Sequence, residues 1–168
     1  MSELPEVVQE SLASYYEEMG RRVDEWVDPL TTEQIWARPF EFQRKNPKDG
    51  NSVGHLLLHL TGNLNYYIGA QIAGTGYVRN RPLEFADETR KPKEQVLADF
   101  DRAIAMVVAT IRKQTPEDWI KPYAGEREPE SKDRFTALFR CAAHAYHHVG
   151  QLIYLSKELN AQKATRGA

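Results

Sequence analysis

Apolar residues recur three and four positions apart along most of the sequence, and this spacing predicts a protein built from α-helices. The pattern predicts four long helices, over about residues 4–27, 52–73, 92–114 and 131–160. Asp28-Pro29 ends the first helix, Ser52 is a suitable N-cap for the second, and Pro92 suits the first turn of the third. We therefore expect an all-α fold, with one four-helix-bundle domain over residues 1–160 and a flexible tail over residues 161–168.

The connections after the first and third predicted helices are long, which favours a bundle with crossover connections over one with tight turns. Both connections contain a similar short motif, LTTEQIWARP at 30–39 and QTPEDWIKP at 114–122. Each motif has the threonine and glutamate spacing of a capped helical turn, and the echo is consistent with an ancient duplication of a helix pair. Residues 75–91 have no sustained period and are expected to form a long loop, which in a small domain is often functional.

The composition is that of an ordinary globular protein and excludes several functional classes. The chain has 168 residues, of which 41% are hydrophobic and 27% charged, and its net charge of −2 gives no electrostatic reason to expect binding to nucleic acid or an anionic membrane. The single cysteine, Cys141, excludes an internal disulfide framework, and its apolar helical face indicates a core residue. No signal peptide or membrane-spanning run is recognisable, so a cytoplasmic protein is expected.

All five histidines fall within two windows of five residues. His144 and His148 project from one face of the last helix, because residues four apart are neighbours on a helix, and the apolar residues beside them turn that face inward. His55 and His59 share a face of the second helix in the same way. An H-x-x-x-H pair can chelate one metal, and a histidine from another helix would complete a three-histidine site with open coordination positions. Imidazole ligands favour Zn, Ni, Cu or Fe over Mg or Ca.

The remaining histidine features leave alternatives open. His147 lies on a more polar strip and is expected to contact solvent or support a ligand rather than bind a metal. His55 suits three roles equally: a ligand, a partner of a ligand, or a residue of the first helical turn. The absence of H-E-x-x-H and of acidic residues on the second helix argues against a zinc peptidase and a di-iron carboxylate site. A bundle whose histidines only pack is the remaining structural alternative.

The histidine pattern resembles that of the DinB-like (DinB/YfiT) superfamily of metal-binding four-helix bundles. The similarity rests on NSVGHLLLHLTGNLNYYI at 51–68 and on HAYHHVGQ at 144–151. It implies one divalent transition metal bound by His59, His144 and His148, for which we expect Zn or Ni, with Fe as a further option. The best-understood members of the superfamily use low-molecular-weight thiols such as bacillithiol or mycothiol in transferase or isomerase reactions, which implies a thiol co-substrate here.

Two functions follow from these expectations. In the first, the protein is a metal-dependent enzyme that activates a thiol or water for transfer to a small electrophile or for hydrolysis, with Tyr66 or His55 donating a hydrogen bond to the developing anion. In the second, it is a metal-binding stress or accessory protein without turnover. Arg79 and Arg81, in the long loop, could hold a substrate carboxylate, although solvated loop charges are the favoured interpretation.

A second apolar stripe on the last helix, nearly opposite the histidine face, indicates that this helix is either central or at an interface. The stripe consists of Phe135, Leu138, Phe139, Ala142, Tyr146, Val149 and Ile153. Together with the family resemblance, it favours a homodimer. The expected partners are thus a small-molecule substrate and a second copy of the chain, with no nucleic acid and no membrane.

Overall fold

The computed structural model describes residues 4–40, 51–86, 88–125 and 131–166, and describes side chains as far as residue 162. In these residues the regular structure is helical, apart from an isolated antiparallel β-bridge between Pro122 and Asp133. The helices are α1 Leu4–Val27, α2 Thr32–Trp36, α3 Val53–Leu64, a π-helical segment Asn65–Ala70, α4 Arg81–Ala86, α5 Lys93–Arg112, α6 Pro116–Trp119 and α7 Arg134–Arg166.

The four long helices α1, α3, α5 and α7 form a bundle, which confirms the predicted all-α fold class. Helix α1 packs against α5 and α7, and α3 packs against the same two helices. Helices α1 and α3 therefore occupy opposite corners of the bundle, as do α5 and α7. The two long connections join opposite corners, in agreement with the crossover topology expected from their lengths. Parts of these connections, residues 41–50 and 126–130, lie outside the described residues.

The short helices α2 and α6 confirm the two capped turns predicted from the repeated motif. The backbone N–H of Gln34 donates to Thr31 Oγ1, and the Thr31 N–H donates in return to the Gln34 side chain. Thr115 and Asp118 form the same capping box in α6. Each turn also buries its tryptophan in the core. Both crossover connections are thus anchored by a locally encoded helical turn.

Helix α3 is buried on almost every side. Its predicted core stripe is fully buried and consists of Val53, Leu57, Leu60, Leu64 and, in the π-helical segment, Ile68. The opposite side of α3 carries His55, His59 and Asn63, which are also buried. On this second side, His55 and His59 contact polar groups as well as aromatic rings. Of the helices described, none is both long enough and apolar enough to cross a bilayer.

Three element boundaries differ from the sequence-based expectations. The loop predicted for residues 75–91 contains α4. The second long helix changes from α- to π-helical geometry at Asn65. Helix α7 runs to Arg166, so the first part of the tail expected over residues 161–168 is helical, and residues 167 and 168 lie outside the described residues. The domain boundary at residue 160 stays a prediction.

The second apolar stripe of α7 is only partly covered. Leu138 is buried, and its backbone carbonyl accepts a hydrogen bond from Tyr16 Oη of α1 at 3.1 Å. The ring of Tyr146 stacks on the ring of Tyr15, which also belongs to α1. Phe139 is 60% exposed. Part of this stripe therefore serves the contact between α1 and α7 within one chain, and the predicted homodimer is not tested by the fold.

Two glycine-to-alanine substitutions are expected to have opposite effects on stability. At Gly54 in α3, an added Cβ would lie 2.6 Å from Cε3 of the buried Trp36 ring. Because the ring must shift, Gly54→Ala is expected to lower the free energy of unfolding by about 1–3 kcal/mol. At Gly150 in α7, no heavy atom lies within 4 Å of an added Cβ. Gly150→Ala should therefore raise the free energy of unfolding by up to about 1 kcal/mol through helix propensity.

Urea denaturation of the two variants and the parent protein measures both effects. If Gly54→Ala stabilised the protein as much as Gly150→Ala does, that result would contradict the packing of α3 against α2.

Candidate metal centre

His59 on α3 and His144 and His148 on α7 converge between the two helices. One potential ligand atom from each residue lies within 4.8 Å of the other two. The Nε2 atoms of His59 and His144 are 3.0 Å apart, and the rings of His59 and His148 meet edge to face with their centroids 5.0 Å apart. His59 is buried and the other two residues are partly buried. These three residues, the ones that the sequence predicts, could hold a metal ion.

The packing of two helices places these donors. His144 and His148 are one turn apart on α7 and project from the same face. Helix α3 packs directly against α7, so His59 reaches the pair from the other side of the helix interface. The geometry of the centre therefore depends on the bundle itself.

Burial controls the charge of the two histidines on α7. Burial, reinforced by the neighbouring imidazoles of His148 and His59, lowers the pKa of His144 to about 4. Burial also lowers the pKa of His148. Both imidazoles are therefore neutral at pH 7, the form in which histidine binds a metal.

A glutamine orients one of these rings. Nδ1 of His148 lies 2.7 Å from Oε1 of Gln151, and Nε2 of Gln151 lies 3.2 Å from Nε2 of His147. A His148 Nδ1–H that donates to the Gln151 carbonyl leaves its Nε2 free for a metal. His147 itself is exposed and lies outside the ligand group. Its ring centre lies 5.1 Å from that of His148, and it also contacts Gln151. The sequence motif includes Gln151, but its contact with His148 was not predicted.

A buried ion pair reaches the third ring. Oε2 of Glu84 lies 2.8 Å from Nδ1 of His59, and Arg79 donates to both carboxylate oxygens of Glu84 at 2.6 and 2.7 Å. The side chains of Arg79 and Glu84 are each only 7% exposed. Burial raises the pKa of Glu84, but the hydrogen bonds from Arg79 and His59 outweigh burial and lower this pKa overall. Glu84 is therefore ionised at neutral pH.

The ion pair corrects the interpretation of one of the two loop arginines, Arg79. Arg79 is neither a solvated charge nor a free clamp for a substrate, because Glu84 occupies its guanidinium. Arg81 is exposed, with its guanidinium carbon 5.6 Å from the centre of the Phe85 ring. The Phe85 ring in turn lies 4.8 Å from the ring of His59. The connection between α3 and α5 thus covers the His59 side of the centre.

Sequence reasoning missed Glu84 for a physical reason. It lies 25 residues from His59, and the contact forms only when α4 folds back onto α3. A weak local signal was available, because Asn80 and Pro82 before Glu84 are typical of the first turn of a helix. That signal predicts a helix but not its partner.

The structure places His55 one turn before His59 and outside the ligand group. Nδ1 of His55 lies 2.7 Å from Oγ of Ser52, the N-cap of α3, and its ring meets Trp36 edge to face. His55 therefore lies in the first turn of α3, which is one of the three roles that the sequence left open for it. The role of His55 as a hydrogen-bond donor to substrate stays a prediction.

Tyr67, rather than Tyr66, lies beside the ion pair, and both tyrosines belong to the π-helical segment. On a continuous α-helix Tyr66 would share the face of His59, but the wider π-helical turn shifts the following side chains by about one residue. Tyr67 is buried, and its ring centre lies 5.6 Å from the guanidinium carbon of Arg79. Tyr66 is half-buried and meets the Tyr67 ring edge to face. The catalytic role proposed for Tyr66 stays a prediction, and Tyr67 contacts Arg79.

The donor set fits a divalent transition metal. Three imidazoles without a carboxylate ligand suit Zn, Ni, Cu or Fe and leave coordination positions open. Asn63, one turn after His59, is buried, and its Oδ1 has no hydrogen-bond partner among the described residues. A buried acceptor of this kind suits a bound molecule that brings a donor. Cys141, one turn before His144, is buried in the core and outside the ligand group, as predicted.

Comparison with known proteins identifies the family of the chain. Residues 7–166 match the family described as "Protein of unknown function (DUF1572)", so the chain belongs to this family. The match includes all three residues of the candidate metal centre. Among curated proteins, none matches the chain. The family description assigns no activity, and the function is therefore inferred from the metal centre.

Replacing His59, His144 or His148 by alanine is expected to abolish stoichiometric binding of a divalent metal, because each change removes one of three donors. His147→Ala is the matched control, since it removes a histidine from the same helix but not from the ligand group. Metal analysis of the purified proteins and titration with Co²⁺ measure the effect. Equal loss in all four variants would contradict the assigned ligand set.

Proposed function

We propose that this DUF1572 protein is a DinB-like metal enzyme that activates a thiol for transfer to a small electrophile, or water for hydrolysis. The observation that carries the proposal is the convergence of His59, His144 and His148 on one point between two helices. The resemblance to DinB-like proteins supports a thiol as the activated group. The cofactor proposed is one Zn or Ni ion, with Fe as a further option.

A divalent ion held by these residues would act as a Lewis acid that lowers the pKa of a coordinated thiol or water and makes it a nucleophile near neutral pH. The protein residues around the site favour the anion. His144 and His148 are neutral at pH 7, and the charge of Glu84 is balanced by Arg79. The chain therefore adds no net negative charge to repel a thiolate or hydroxide.

Other residues of the site would bind and orient the reactants. Oδ1 of Asn63 can accept a hydrogen bond from an N–H or O–H of a co-substrate, since it has no partner among the described residues. Tyr66 and His55 remain the proposed donors to a developing anion, and Tyr67 joins them because of its contact with Arg79. Phe85, against His59, presents an apolar surface that limits the access of water.

The proposed reaction predicts thiol conjugation that depends on the metal. The protein loaded with Zn²⁺, Ni²⁺ or Fe²⁺ is incubated with bacillithiol, mycothiol, glutathione or coenzyme A and a chromogenic electrophile, and thioether formation is followed. Activity is expected with at least one thiol, and it should be lost on chelation or in His144→Ala and retained in His147→Ala.

Hydrolysis of activated esters and amides by the same loaded protein tests the second reaction. A protein that holds one metal per chain and yet catalyses neither reaction would contradict the enzymatic proposal. That result would support the alternative, a metal-binding accessory protein without turnover.

We also propose that the chain forms a homodimer through α7. Phe135 and Phe139, on the stripe identified in the sequence, are 41% and 60% exposed and lie stacked side by side. Sedimentation at micromolar concentration is expected to give twice the mass of one chain, and Phe139→Lys should shift the equilibrium towards monomer. A wild-type mass equal to that of one chain would contradict the dimer.

A further inference from the structure

We infer that Glu84, held in place by Arg79, is a positioning residue that keeps the proton of His59 on Nδ1 and thereby leaves Nε2 free to bind the metal. This inference rests on the proposed metal site but not on the reaction proposed for it. Nothing in the ligand set itself requires a carboxylate at this place. The contacts of Glu84 on three sides carry the inference.

The first contact fixes the tautomer of His59. An ionised carboxylate can only accept hydrogen bonds, so the 2.8 Å contact between Glu84 Oε2 and His59 Nδ1 requires a proton on Nδ1. Nε2 of the same ring points at Nε2 of His144, 3.0 Å away. The unprotonated nitrogen of His59 is therefore turned towards the other two ligands. A hydrogen bond from the far nitrogen to a carboxylate also makes an imidazole a stronger ligand.

The second contact fixes the orientation of the carboxylate. Arg79 binds both oxygens of Glu84 through Nε and Nη2, in the bidentate geometry that holds a carboxylate in one plane. Arg79 Nη2 also lies 3.3 Å from His59 Nδ1. Because a guanidinium only donates, the His59 proton at Nδ1 can go only to Glu84. Arg79 thus compensates the buried charge and leaves Oε2 directed at the ring.

The third contact shows that α3 is shaped to receive this carboxylate. Gly62 lies three residues after His59, and a Cβ built on it would be 2.2 Å from Glu84 Oε1 and 2.9 Å from its carboxyl carbon. A side chain at position 62 would therefore push Glu84 away from His59. A glycine inside a helix is less favourable than an alanine, and here the space it leaves is filled by the carboxylate.

The same contacts could serve only to attach α4 to α3, and two properties separate that role from positioning. A structural attachment does not determine which nitrogen of His59 carries the proton. It also does not change the affinity for a metal as long as the bundle stays folded. Both properties can be measured in proteins whose folding is checked by circular dichroism and thermal unfolding.

Glu84→Gln keeps the size of the side chain and removes its charge. In this variant the dissociation constant for Zn²⁺ is expected to rise about 10–100-fold, the range typical of losing such a partner of a metal ligand. In the metal-free protein, ¹⁵N chemical shifts of the imidazole are expected to show His59 moving from the Nδ1–H form towards the Nε2–H form. Glu88→Gln is the matched control, because Glu88 is an exposed glutamate four residues along. It should change neither value.

Gly62→Ala tests the same inference without altering Glu84. The added Cβ displaces the carboxylate, while alanine itself favours the helix, so the fold is expected to persist. The variant should reproduce both the weaker Zn²⁺ binding and the change of tautomer. It therefore also decides the outcome if Glu84→Gln fails to fold.

Wild-type affinity for Zn²⁺ together with an unchanged His59 tautomer in folded Glu84→Gln and Gly62→Ala would overturn the inference and leave Glu84 a structural attachment. An Nε2–H form of His59 in the metal-free wild type would overturn it as well. If the wild type binds no metal, the proposed function fails. The tautomer of His59 in the wild type and the variants still decides the role of Glu84 in that case.

Discussion

The structure depends on the burial of α3 along nearly its whole circumference. One side of this helix supplies the fully buried apolar residues of the core, and the other side buries His55, His59 and Asn63. Polar groups taken out of water cost free energy unless they find partners, so the second side requires hydrogen-bonding groups from elsewhere in the chain. Ser52 meets His55, and Glu84 with its arginine meets His59. Within the described residues the Oδ1 of Asn63 has no such partner, and that makes it the polar position on this side most suited to an exogenous molecule.

The parts of this arrangement that the sequence predicts are those determined by local periodicity. The long helices follow from apolar spacing, the two capped turns from their threonines, and the shared face of His144 and His148 from their separation on one helix. Glu84 could not be found in this way, because its contact with His59 is made across 25 residues by a short helix without a sustained period. Periodicity could not predict the π-helical segment either, because the sequence NYYIGA at 65–70 is equally compatible with an α-helix. Within this segment, the ring of Tyr67 is the one that lies against Arg79, and Tyr66 packs on Tyr67.

The partners of the candidate ligands His59 and His148 differ in kind, and this difference has chemical consequences. Nδ1 of His59 faces a carboxylate, whereas Nδ1 of His148 faces the amide oxygen of Gln151. A carboxylate partner donates more electron density through the imidazole than an amide does, so His59 is the stronger donor of the two. The neutral pair on α7 and the carboxylate-supported ring on α3, whose carboxylate is paired with Arg79, would leave the charge of a bound cation largely uncompensated. Under the proposed function, that combination would favour an anionic ligand such as a thiolate over a neutral one.

Different connections of the chain serve the bundle topology and the contacts with the candidate metal centre. The two connections that cross the bundle contain the capping boxes and contribute to the topology. The connection between the neighbouring helices α3 and α5 has no topological need to be long, since it joins adjacent corners. Yet this connection provides Arg79, Glu84 and Phe85. Glu84 and Phe85 contact His59, and Arg79 forms the ion pair with Glu84. Changes in this connection can therefore alter metal affinity and access to the site while the bundle and its three histidines stay in place.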